Sequence, residues 1–297
     1  MGNPLSIDEL RHLCAELGDL VASRHSSFVA EPAPERLHEF RVAVRSARSL
    51  LVLTRDSFTS EQLNEARHAG ARLSYLTGRG RNLDVFIEHW KDITFGLDPE
   101  VLVNLGPVLS RVNENRLIEY KVIRDFMQGE ESGAFADALR SLASMPGTSV
   151  EADDVVRKAI RRINKRVLAV SNSLSDLAPD EVLHQARKDL KKLRYSLEMT
   201  RDHFHARQLE KFVESVAELQ SVIGRHQDAV MFSNELWSVG RRLAQSNVPD
   251  TVISIGIVLN PIDEVRRHAR RKSLAKLRAY ADDESQQALK KLIGSLD

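Results

Sequence analysis

Cysteine is nearly absent from this chain of 297 residues. Cys14 is the only one, which excludes an internal disulfide and any cysteine-based zinc site and fits a reducing compartment. Aromatic residues make up only 5%. With Leu, Ala, Arg, Glu and Val abundant instead, helices packed on aliphatic seams are favoured over sheets. No apolar run reaches the length that a bilayer span needs, and the N-terminus lacks the charged and apolar regions of a secretory signal. A dominant charge of one sign is missing too. The net charge is +1, whereas a protein that coats nucleic acid nonspecifically is usually more basic. Any anion site must therefore come from a local concentration of charge.

What is present is helical periodicity from end to end. It predicts helices over about 6–29, 35–56, 61–77, 82–94, 98–128 and 133–143, then about 151–176, 180–202, 206–223, 227–246 and 250–281, with a short tail helix. The first six residues, MGNPLS, match the myristoylation pattern formally, but Ser6 with Glu9 reads better as a capping box. MPGTSVEADD, at 145–154, is the expected boundary between two halves. TVISIGIVL, at 251–259, is β-branched enough for a strand, yet its place in the series favours a helix, and Pro261 is expected to kink or interrupt it.

The two halves repeat. LHEFRVAVRSARSLL at 37–51 and LHQARKDLKKLRYSL at 183–197 place a histidine and three cations at one spacing: His38, Arg41, Arg45 and Arg48 match His184, Arg187, Lys191 and Arg194, each 146 residues later (38 to 184). The offset continues without gaps through Arg55 and Arg201, Phe58 and Phe204, Leu73 and Leu219, Gly78 and Gly224, and Phe86 and Phe232. It also pairs Lys121 with Arg267 and Arg124 with Arg270. A gap-free series of this kind indicates internal duplication. The simplest architecture is all-α, with two similar helical bundles (1–145 and 151–297) related by a pseudo-two-fold axis.

On a helix, Arg41, Arg45 and Arg48 fall about 60°, 20° and 80° to one side of His38, a single narrow face. Leu37, Phe40, Val44, Ala47 and Leu51 cluster next to it, so the basic strip borders the core. Stacked like charges destabilise a helix by a few tenths of a kcal/mol per pair. Glu39 and Asp189 lie off the strip and do not neutralise it. One such strip alone would usually be a solvated face; its duplication favours an anion site, for which arginine forks suit phosphate oxygens.

HEFRVAVRSARSLL and HQARKDLKKLRYSLEM resemble the two signature helices of the CHAD domain, a family named for its histidine and its α-helices. LSYLTGRGRNLDVF and LQSVIGRHQDAVMF are similar to its two glycine-to-aspartate segments, so the resemblance covers essentially the whole chain. It implies two four-helix bundles facing each other across a basic cleft or pore, inorganic polyphosphate as the ligand, and polyphosphate-granule association in some members. It implies contact with ligand for His38, Arg41, Arg45, Arg48, Arg55, His184, Arg187, Lys188, Lys191, Arg194 and Arg201. Lys121, Arg124, Arg267 and Arg270 are candidates to flank the cleft, with ordinary surface charge as the alternative.

The chain departs from the family pattern where RNLD places Asn82 at an expected acid, while Asp84 and Asp228 remain. Many relatives carry a preceding triphosphate-hydrolysing domain; here the first residues hold no ExExK motif, and catalysis is not carried over. Other chemistry finds little support. Among ten histidines, His203 and His205 splay apart and no HExxH occurs; arginines crowd His38 and His184 and would oppose a divalent cation. Asp84 and Asp228 read as helix caps or as holders of strip arginines rather than as a general acid/base pair. RKAIRRINKR at 157–166 is strongly basic while its counterpart at 11–20 is not, and a solvated face is its default reading. The expectation is a cytoplasmic, noncatalytic polyphosphate-binding protein that needs no cofactor or metal and binds no membrane. Nucleic acid, an acidic partner and phosphate-polymer processing are the alternatives.

Overall fold

The computed structural model describes residues 5–145, 151–175, 178–246 and 248–294. Its helices are α1 (Ile7–Ala30), α2 (Pro34–Leu53), α3 (Ser60–Leu76), α4 (Gly78–Glu88), α5 (Trp90–Ile93), α6 (Pro99–Asn104), α7 (Gly106–Met127), α8 (Ala134–Ser144), α9 (Ala152–Ser173), α10 (Asp180–Met199), α11 (Ala206–Leu243), α12 (Pro249–Tyr280) and α13 (Asp283–Gly294). No strand occurs among the described residues, so the chain is all-α. The first four residues and half of the boundary segment expected at 145–154 (146–150) lie outside the described residues.

Local chemistry sets the starts. The Ser6 side chain accepts from the Glu9 amide at 3.1 Å while Glu9 accepts from the Ser6 amide at 2.7 Å, the expected capping box. Proline occupies the first turn of α2, α6, α7 and α12, where its missing N–H removes no helical bond. The 146-residue offset recurs in the element bounds. Helices α2 and α10 differ by it at both ends (34 to 180, 53 to 199), and so do the 3₁₀ turns Arg55–Ser57 and Arg201–His203.

Some helix expectations fail: the single helices expected over 82–94 and 98–128 are each divided, at His89 and at Leu105. The predicted break between 223 and 227 does not occur: α11 runs unbroken from Ala206 to Leu243, through Gly224. A Cβ at Gly224 would stand 3.2 Å from Arg187 Nη2, so this glycine admits a close side chain and does not end a helix. Gly78, its counterpart, does begin a new helix, α4. Of the kink or interruption expected at Pro261, the interruption does not occur: α12 is continuous from Pro249 to Tyr280. The lost bond and ring clash cost about 3 kcal/mol. Offsetting this, α12 packs antiparallel along α11, from Lys276 on Glu218, past the Arg266 carbonyl on His226, to Ile255 beside Gly240. Residues 251–259 are helical, as the series predicts.

Among the described residues the apolar interior forms two clusters, and each draws on both halves of the sequence. The larger joins α1, α2, α3, α8, α9 and α10 with the first part of α11 and the end of α12. The smaller joins Leu83 and Phe86 of α4 and Val108 and Val112 of α7 to Leu236 of α11 and Val258 of α12. Leu37, Phe40, Val44, Ala47 and Leu51 are all buried, as are Leu183, Ala186, Leu190, Leu193 and Leu197. Removing one such side chain costs about 2–5 kcal/mol. Those two apolar faces fix the rotation of α2 and α10, which pack against each other.

A candidate anion site on two packed helices

With the apolar faces of α2 and α10 inside, their basic strips come to rest at the edge of the core. Arg41, Arg45, Arg187, Lys191 and Arg194 are half-buried, whereas His38 and Arg48 are exposed. Arg41 Nη1 donates to the Ser74 carbonyl at 2.9 Å and to Thr77 Oγ1 at 2.5 Å. Arg48 Nη1 donates to Ser74 Oγ at 2.8 Å. The end of α3 thus aims two arginines of α2 without offering either a carboxylate.

The helices meet electrostatically at Arg45. Burial pushes the Lys191 ammonium down to about 7, and Arg45, Arg187 and Arg194 push the same way against a weaker opposing pull from Asp228. Burial also lowers Arg187, with Asp228 opposing and Arg45 and Arg194 adding to the fall. Arg41 is held down to about 10 by burial and then by Arg45, Arg81 and Arg48. No ion pair or hydrogen bond reaches the side chains of Arg45, Arg187, Lys188 or Lys191 from the described residues, and Nε of both Arg41 and Arg187 is buried without a partner. The acids beside the strips in sequence serve other cations: Asp189 takes Lys192 at 2.8 Å and Arg166 at 3.3 Å, and Glu39 takes Arg24 at 2.8 Å. The two acids nearest the strips in sequence are therefore turned to other partners.

The histidines head the strips. Burial and then Arg81 lower His38, with Arg45 and Arg41 adding and Glu88 opposing. Burial and then Lys188 lower His184, whose Nδ1 lies 2.9 Å from Gln227 Oε1 and so carries the proton. Beside each histidine opens a cleft, of about 560 Å³ at His38 and about 410 Å³ at His184. Pro34, Glu35, His38 and Arg81 line the first and Asp180, Glu181, His184 and Gln227 the second, again 146 residues apart (34 to 180, 81 to 227).

The remaining expected residues scatter. Arg55 and Arg201 are exposed in the matching turns after α2 and α10. Arg194 Nε is 3.4 Å from Glu198. Of the flanking candidates, Lys121 and Arg124 are exposed on α7, and Arg267 pairs with Asp263 at 3.3 Å. Arg270 donates to Asp180 at 2.9 Å and to the Ala178 carbonyl, clamping the start of α10. Asp84 accepts from Arg116 Nε at 2.8 Å and from the Tyr120 hydroxyl at 2.9 Å, so it holds α7 and not the strip. Asp228 lies among Arg187, His89, Lys191 and Arg81, and burial raises its carboxyl against their pull. Among the described residues no three His, Cys, Asp or Glu side chains converge as a metal site.

Sequence reasoning missed Arg81, which acts on His38, Arg41 and Asp228 together. Its counterpart is Gln227, so a search for repeated cations passes over it. Ser74 and Thr77, which aim Arg41, carry no sequence signal of that role.

An all-helical frame with a histidine-and-arginine strip on each of two packed helices defines a class of protein built around an internally repeated basic face. A model of the CHAD domain matches residues 10–237, and the chain belongs to that family. The fold agrees with the crystal structure of the CHAD domain from the plant Ricinus communis (TM-score 0.72, 18% identity, 94% of each chain covered). It agrees equally with PptA from Streptomyces chartreusis (TM-score 0.74, 17% identity, 97% of this chain and 100% of that one). Two Mycobacterium tuberculosis proteins, uncharacterized protein MT2285 and uncharacterized protein Rv2226, are each 22% identical over 84% of this chain and 49% of their own length. The chain thus spans about half the length of the curated relatives it matches. No helix is long and apolar enough to cross a membrane among the described residues.

Proposed function

We propose that this protein binds inorganic polyphosphate, without catalysis, along the paired strips of α2 and α10. One observation carries the reading: Arg45, Arg187 and Lys191 crowd together at the core edge and no carboxylate lies within ion-pairing distance among the described residues, although burial and mutual repulsion oppose their charge. Such a cluster is relieved by a polyanion whose charges are closely spaced. Polyphosphate offers roughly one charge per phosphate along a flexible chain, and counterion release adds a salt-dependent driving force. Arg41, Arg45, Arg187 and Lys191 grip the centre, and Arg48, Arg55, Arg194 and Arg201 extend it. Lys188 and the two histidines add charge and hydrogen bonds at the heads. We place the protein in the cytoplasm, on polyphosphate granules where these form.

A titration with long polyphosphate at several salt concentrations, together with a phosphate-release assay containing magnesium, tests this. Tight binding that weakens steeply with salt, with no phosphate released, is the expected result. Absence of binding at low salt removes the reading, and phosphate release makes the protein an enzyme.

A further inference from the structure

Beyond the strip on α2 the cations do not stop. The turn that carries Arg55 packs against α9, and Arg162 Nη2 of α9 donates to Asp56 in that turn at 2.6 Å. Arg67 of α3 donates to the Leu51 carbonyl at 3.3 Å and brings a third guanidinium to this junction, beside Arg55 and Arg162, with Asp56 paired to Arg162. Burial lowers Arg67 there, and Arg55 and then Arg162 lower it further. Arg162 Nη1 is buried without a partner. From this junction α9 carries Lys158, Arg161 and Lys165, all exposed and none in an ion pair among the described residues. By helical angle Lys158 and Lys165 stand within about 60° of Arg162 on the same side, and the three span about 10 Å of helix.

The opposite end differs. The turn with Arg201 belongs to the segment that brings His203 to within 3.8 Å of Glu9 of α1. At the 146-residue offset, Lys158, Arg161, Arg162 and Lys165 correspond to His12, Ala15, Glu16 and Asp19 (12 to 158, 19 to 165). One end of the paired strips therefore opens onto a basic helix face and the other onto an acidic one.

We infer that α9 is a second binding surface for phosphate polymer, reached only from the Arg55 end: a chain too long for the strips leaves past Arg55, Arg67 and Arg162 and runs along Lys158, Arg161 and Lys165. This rests on the reading that the strips bind polyphosphate, and it adds a direction and a preference for long chains. The same face would suit a nucleic-acid backbone, but its continuity with the strip through three arginines favours one continuous polymer.

The test compares tripolyphosphate with a long polyphosphate preparation on the full chain, wild type and a Lys158→Ala, Arg161→Ala, Lys165→Ala variant. The three side chains are exposed and unpaired, and circular dichroism checks that the variant keeps its fold. Arg207→Ala with Lys211→Ala, exposed on α11, controls for a general loss of charge. Losing three phosphate contacts is expected to weaken long-chain binding by about tenfold or more in low salt, with a shallower salt slope, and to leave tripolyphosphate within about twofold. Unchanged affinity for both ligands overturns the extension and leaves the strips standing. Equal weakening of both, or an equal effect in the control, reduces it to a diffuse field and overturns it as a track. In a third arm with single-stranded RNA as the probe, loss of RNA binding with long polyphosphate unaffected overturns the polyphosphate track and makes the face a nucleic-acid surface instead. If wild type binds neither polyphosphate, the strip reading itself falls.

Discussion

Titrating the protein with polyphosphate near neutral pH is expected to draw protons from solution, and Lys191 is the main reason. Its ammonium is held down to about 7 by burial and by the arginines around it. In the free protein about half of the molecules therefore lack that charge at pH 7, and about nine in ten lack it at pH 8. A phosphate chain beside Lys191 reverses the repulsion and returns the group towards or above its ordinary value of 10.5. Uptake at this site should rise from about 0.5 proton per binding event at pH 7 to about 0.9 at pH 8. His38 and His184, both held below the ordinary histidine range, add uptake mainly at lower pH, so the upper value isolates the lysine. Affinity consequently falls as pH rises through 7. In the free protein the trend reverses: the unfolded chain binds the Lys191 proton more strongly, so this group's contribution to stability increases with pH between about 7 and 10.5. Calorimetry at pH 8 in buffers of different ionisation enthalpy reads the uptake as the slope of binding enthalpy against buffer enthalpy. Lys191→Arg, which keeps the charge and does not titrate there, should abolish most of it. Tight binding with no buffer dependence, or full uptake in Lys191→Arg, would refute the reasoning.

The remaining predictions follow from single contacts. Arg45→Ala should weaken polyphosphate binding by about 1.5–3 kcal/mol, one charge-assisted contact, without lowering Tm, because Arg45 repels Lys191, Arg187 and Arg41 in the free protein; a clear drop in Tm would show that it supports the fold. Gly224→Ala should keep α11 intact, since alanine is favoured in a helix by about 1 kcal/mol, yet weaken binding by displacing Arg187 Nη2, 3.2 Å from the new Cβ. Gly78→Ala, with nothing within 4 Å, should leave binding unchanged, and equal effects in the pair would contradict this account of Arg187. Tyr120→Phe removes one donor from buried Asp84 and should cost about 1–3 kcal/mol in denaturant unfolding with polyphosphate affinity untouched.

The strips themselves were legible because helical spacing and a 146-residue repeat (38 to 184) are both linear in sequence. Apolar residues at the right intervals fixed which face of α2 and α10 is buried, and hence where Arg45 and Lys191 emerge. Non-local roles were not legible. Gly224 reads as a helix break until Arg187 of another helix is seen lying against it. Pro261 reads as an interruption because local cost is visible in sequence and packing along α11 is not. Arg270 looks like Arg124 in the repeat, but it is committed to Asp180 and the Ala178 carbonyl, whereas Arg124 is exposed on α7. Arg81 escaped notice because the repeat replaces it with Gln227. Its reach to His38, Arg41 and Asp228 depends on how α4 packs.

The most direct test of two helices sharing one polyanion is the salt dependence of affinity in wild type, Arg45→Ala, Lys191→Ala and the double variant. Each cation that neutralises a phosphate should remove about one unit from the slope of log K against log salt, and the double variant about two. Slopes that stay at the wild-type value in all three variants would place the polyphosphate elsewhere and contradict the account.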